Sequence, residues 1–104
     1  MRSDPSNLNL ERFPGGDLVA KGLRDLTNAQ LSEEALLVLV ARTRLVRLGF
    51  HIDVPANASL PYEHALFEAL ENRLDRGAHS AYNALIRRMV SFANSYGIAM
   101  RRSS

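Results

Sequence analysis

The chain has no cysteine. That excludes disulfides, zinc–thiolate sites and thiol nucleophiles, and it fits a reducing compartment. Long hydrophobic runs are missing too. The longest, residues 35–41, falls far short of the roughly 20 apolar residues that cross a bilayer. The opening stretch, MRSDPSNLNLERF, lacks the apolar centre of a signal peptide. A cytoplasmic protein without membrane contact is expected. Catalytic signatures are also scarce. No strand–Gly-x-Ser-x-Gly–helix elbow occurs. PGGDLVAKG has neither the spacing of a phosphate-binding loop nor a preceding strand, and Asp17 would repel a phosphate there. His51, Asp53 and Ser59 lie in one link, but nothing in the sequence brings them together.

One further absence bears on function. Residues 78–104 contain no Asp or Glu. The net charge of +2 therefore hides a gradient: residues 1–75 balance to −3, whereas residues 76–104 reach +5 through Arg76, Arg87, Arg88, Arg101 and Arg102. Such asymmetry suits a polyanion or an acidic protein as partner.

What is present describes one small domain. The chain has 104 residues, of which 46% are apolar, enough for a single core. Residues 1–16 read as an irregular arm, broken by Pro5, Pro14, Gly15 and Gly16. Leu8, Leu10 and Phe13 are available to pin it to the core. A first helix is predicted from Asp17 as N-cap. Val19, Leu23 and Leu26 share its inner face, and Gly22 weakens it by about 1 kcal/mol relative to Ala.

The second helix has the strongest boundary signals. Ser32 suits its N-cap, and Glu33 and Glu34 suit the positive end of its dipole. Gly49 fits the left-handed position just past its end, with Phe50 as the apolar contact that follows. Over residues 35–41 the apolar side chains surround the axis. This predicts a helix either central in the bundle or partly covered by a second subunit. LLVLV would also suit a strand, but the caps and the length up to Gly49 favour helix.

Residues 50–60 read as extended, because Val54 precedes Pro55. A third helix is predicted from near Ser59 and Pro61 to Gly77, with Leu66, Leu70 and Leu74 as its seam. A fourth is predicted over 80–96, ended by Gly97. It segregates Leu85, Met89, Phe92 and Tyr96 from Asn83, Arg87, Arg88, Ser91 and Asn94. The expected fold class is all-α. A small four-helix bundle-like domain occupies 17–97, between the irregular N-terminal arm 1–16 and a basic C-terminal tail 98–104.

Two surfaces stand out as candidates. Asn83, Arg87, Arg88, Arg101 and Arg102 form a binding face, for an acidic partner or for the phosphates of a nucleic acid. Ser, Asn and Arg without Glu or Lys are unusual on a purely solvated helix face. His64, Glu68, Glu71 and Asp75 recur at helical spacing as an acidic face. No Glu-x-x-His pair accompanies them, so the expected role is electrostatic pairing rather than a metal site.

RLDRGAH places Arg73 and His79 with five residues between them. This spacing resembles the Arg-x4–6-His signature of HEPN ribonucleases. The resemblance covers seven residues and would imply an all-helical, often dimeric protein, with His79 acting in RNA cleavage and Arg73 contacting phosphate. Gly77 interrupts the segment, whereas the family carries its motif on a helix. The function expected is non-enzymatic, with no metal and no cofactor. It is that of a helical protein-binding or regulatory module, acting through homodimerisation and a charge-complementary surface. The alternatives are nucleic-acid binding through the basic C-terminal helix and tail, and a HEPN-like ribonuclease.

Overall fold

The structure is a computed structural model that describes residues 10–103. Among the described residues a 3-10 turn, Leu10–Arg12, leads into five α-helices: α1 (Gly16–Thr27), α2 (Glu33–Val40), α3 (Arg42–Arg47), α4 (Tyr62–Arg73) and α5 (Ala78–Ser103). No strand occurs among the described residues, so the domain is all-α.

The chain enters α1 through a reversal built on glycine. Gly15 sits in the left-handed region at φ 74°. A Cβ on Gly16 would fall 1.6 Å from the Leu10 carbonyl oxygen, so only glycine lets the turn fold back here. Between the 3-10 turn and α1, residues 13–15 are bends and turns, and Leu10 and Phe13 pin this stretch to the core. Leu10 is buried, and the Phe13 ring meets Tyr96 edge-on at 5.3 Å. Leu8 and the rest of the arm lie outside the described residues. The helix starts at Gly16, so Asp17 is not its cap but lies in its first turn.

α2 forms as its signals predict: the Ser32 hydroxyl accepts the Ala35 amide proton at 3.1 Å. The same hydroxyl donates to the Asp25 carboxylate, tying α1 to the start of α2. Ala35, Leu36, Leu37, Val38 and Leu39 are all buried. The helix packs against α1, α4, α3 and α5 of its own chain. Its all-round apolar surface is satisfied inside one chain, so a subunit contact is not required to cover it.

The predicted single helix up to Gly49 is broken. At Ala41 the backbone leaves helical geometry (φ −94°, ψ 13°), and α3 begins at Arg42. α3 then ends as expected. Gly49 has φ 102°. Its amide bonds the Val46 carbonyl at 3.0 Å, and the Phe50 amide bonds the Leu45 carbonyl at 3.1 Å, the paired bonds of a Schellman cap.

α4 stops at Arg73, short of Gly77, and Leu74 is already extended. Gly77, at φ 83°, instead precedes α5. The larger departure is at Gly97. It does not end the last helix, which continues to Ser103, so residues 98–103 are helical rather than a tail. Gly97 is buried where α5 passes α3, and a Cβ there would lie 3.4 Å from Leu48 Cδ2. Packing against that neighbour offsets the roughly 1 kcal/mol that glycine costs a helix relative to Ala.

The inner face of α5 carries Met89, Phe92, Ala93 and Tyr96. Phe92 and Tyr96 stack at 5.4 Å, and Phe50 closes on Tyr96 at 4.8 Å. This aromatic cluster meets the aliphatic layer of Leu37, Leu39, Leu66 and Leu70. Among the described residues no polar or charged side chain is buried in the core.

Candidate functional site

Of the six residues of α3, RTRLVR, only Leu45 is buried. Arg42, Arg44 and Arg47 are all exposed. Because the chain bends at Ala41, this short basic helix lies beside the C-terminal half of α5. An Arg44 Nη2 hydrogen bond to Asn94 Oδ1 joins the two. Between them runs an open groove of about 700 Å³. Val40, Leu48, Ala93 and Ile98 give it an apolar floor, and Arg44, Arg47 and Arg101 stand along its walls. No acidic side chain lines it. Ile98 is 46% exposed, a large apolar side chain left facing solvent.

Three cations elsewhere on the surface are held in ion pairs. Arg73 grips Glu33 with two bonds of 2.6 and 3.0 Å, and the Glu33 hydrogen bond raises its pKa above the ordinary arginine value. Lys21 holds Asp25 at 2.7 Å and Glu34 at 3.4 Å. Its hydrogen bond, with that of Ser32, lowers the Asp25 carboxyl below its usual range. Arg88 bonds Asp17 at 2.8 Å. Arg44 and Arg47, by contrast, have no carboxylate partner among the described residues. Arg44 bonds only the neutral Asn94 amide, so its full charge faces the groove.

The residues expected to form one binding face are only partly brought together. Asn83, Arg87, Arg101 and Arg102 are exposed on α5. Arg101 reaches the groove, whereas Arg87 lies towards the other end of α5, in a shallow notch shared with Pro14 and Gly15. Arg88 is tethered to α1. On the acidic face, His64 and Glu68 approach to 3.4 Å, and Glu71 is exposed on the same helix. Asp75 falls beyond the end of α4, so the four do not continue as one helical stripe. Among the described residues no three His, Asp or Glu side chains converge as metal ligands.

Arg73 and His79 each have a contact of their own. Arg73 is held by Glu33, while His79, in the first turn of α5, packs edge-on against Phe67 at 6.0 Å. Tyr82 meets the same ring at 6.1 Å, and burial raises its hydroxyl pKa. The site residues missing from the sequence expectation are Arg44, Arg47 and Ile98. RTRLVR carried a signal, three cations around Leu45 and Val46, but the acids elsewhere in residues 1–75 cancelled it in the charge balance.

Fold and site together define a small all-α domain with a basic, apolar-floored surface groove. The chain matches no known protein family, no curated protein and no solved structure. No helix among the described residues is long and apolar enough to cross a membrane.

Proposed function

We propose that this chain is a non-enzymatic protein-binding module that docks an acidic partner on the face made by α3 and the C-terminal half of α5. The observation that carries this reading is the pair Arg44 and Arg47, cations without carboxylate partners beside an apolar floor. Charge complementarity supplies specificity and faster encounter, and apolar burial supplies affinity. A nucleic acid suits this face less well. The groove has no aromatic side chain for base stacking, and Phe92 and Tyr96 are spent in the core.

Homodimerisation has less support than the sequence suggested, since α2 is covered within one chain. Two grooves set face to face would oppose arginine to arginine. The acidic face of α4 offers no exposed large apolar side chain to fill a groove.

The test is a titration of the isotope-labelled protein at low salt with polyglutamate and, separately, with duplex DNA and single-stranded RNA. Polyglutamate is expected to shift backbone amides around Arg44, Arg47 and Ile98, and Arg44→Glu/Arg47→Glu to abolish the shifts. Larger shifts along Arg87 and Arg102 with nucleic acid, and none with polyglutamate, would transfer the assignment to a nucleic-acid-binding protein.

A further inference from the structure

Resting on that reading, we infer that the occupant of the α3/α5 groove is an amphipathic acidic helix from a different protein. Its apolar stripe sits on Val40, Leu48 and Ile98, and its carboxylates flank that stripe to meet Arg44 and Arg47. The first ground is the character of the walls. Both are α-helices, whose backbone donors and acceptors are used within the helix away from its ends. Strand addition, the mode in which an extended peptide gains backbone hydrogen bonds from its receptor, needs a free sheet edge, and among the described residues there is none. A helix brings its backbone bonds already made, so only its side chains need partners.

The second ground is length. The α5 wall from Ala93 to Arg101 spans roughly 12 Å, or about two helical turns. That accommodates three apolar residues at i, i+3 or i+4, and i+7, the anchor pattern of a helix laid in a groove. The third ground is charge. The groove has cations on both walls and no acid, so carboxylates on either side of the apolar stripe are matched, and a basic helix is rejected. The described helices of a second copy of this chain do not meet these needs. The large apolar side chains it exposes on helices, Val46, Val90, Ile98 and Met100, belong to α3 and α5, and α5 carries no acidic residue.

The experiment is an unbiased selection. A displayed library of random peptides is enriched on the full chain, and the winners are measured in solution against wild type, Ile98→Asp and Arg44→Glu/Arg47→Glu. Expected winners carry apolar residues at helical spacing flanked by Asp or Glu, and gain helical circular dichroism on binding. They should lose roughly tenfold or more in affinity on each variant, the scale of one lost favourable contact. Both substitutions are on exposed side chains, and the circular dichroism of each free variant checks its fold. Acidic winners without helical period that still need Arg44 and Arg47 would overturn the helical occupant and leave the protein-binding assignment standing. Winners indifferent to both variants, or no winners at all, would overturn both. Displacement of helical winners by phosphatidylglycerol vesicles, or a solution dimer that Ile98→Asp dissociates, would replace the proposed partner by a lipid surface or a second copy.

Discussion

Replacing Gly22 with alanine should destabilise the domain, although helix propensity alone says the reverse. Gly22 lies in α1 where that helix crosses α2. A Cβ at this position would fall 2.5 Å from the Glu34 carbonyl oxygen and 2.5 Å from Val38 Cγ2. Carbon atoms in good contact sit roughly 3.5–4.0 Å apart, so α1 and α2 must separate by about 1 Å. The Glu34 oxygen is backbone and has no rotamer to escape into, and Val38 is fully buried. Overpacking of this kind costs about 1–3 kcal/mol. The gain from replacing glycine in a helix is about 1 kcal/mol. With backbone as the obstacle, the cost should lie in the upper part of that range, about 2–3 kcal/mol, so the loss should win by about 1–2 kcal/mol. For a domain of this size that lowers the melting temperature by roughly 5–15 °C. Urea denaturation of wild type and Gly22→Ala measures it directly. A variant as stable as wild type, or more so, would show that α1 and α2 do not cross as closely as Gly22 requires.

Gly97→Ala is the matched control and should have the opposite sign. Its Cβ would make ordinary contact with Leu48 at 3.4 Å, so a gain of up to about 1 kcal/mol in thermal unfolding is expected. Leu10→Ala should cost about 2–5 kcal/mol in denaturant unfolding, because Leu10 is a buried core residue and not part of a loose arm. A neutral result would detach the arm from the core. Asp25 gives a pH signature. Its folded pKa lies below the ordinary 3.8, through the hydrogen bonds of Lys21 and Ser32. The unfolded chain therefore binds more protons as pH falls, and the contribution present above about pH 4 is lost on acidification through the folded pKa. Asp25→Asn should be less stable at neutral pH and show a shallower acid limb, measured by denaturation between pH 2 and 7. An unchanged acid limb would remove Asp25 from the linkage.

The features legible in the sequence are those decided within a few residues. Ser32 caps α2 because a hydroxyl at that position reaches an amide three residues on. Gly49 and Phe50 close α3 because the cap needs a left-handed residue followed by an apolar one. The features not legible are decided by neighbours distant in the chain. Gly97 signals a helix end, yet Leu48 packs against it and α5 continues. Asp17 has the chemistry of a cap, but Gly15 starts the helix in a conformation set by close approach to the Arg88 carbonyl. The groove follows the same division. Arg101 stood out in an acid-free stretch. Arg44 and Arg47 did not, because their position beside α5 depends on the bend at Ala41 and on Asn94, fifty residues away.

That bend places two kinds of selection on separate helices. α2 holds the domain together, and each of Ala35, Leu36, Leu37, Val38 and Leu39 is constrained by neighbours on every side. Across Ala41, α3 has a single anchor, Leu45, and its other side chains answer mainly to whatever the groove meets. Changes at Arg47 or Ile98 fall on exposed positions away from the Arg44–Asn94 bond, where substitutions leave stability nearly unchanged. If the proposed docking reading holds, partner preference can drift, or be rewritten by design, while the bundle beneath stays intact.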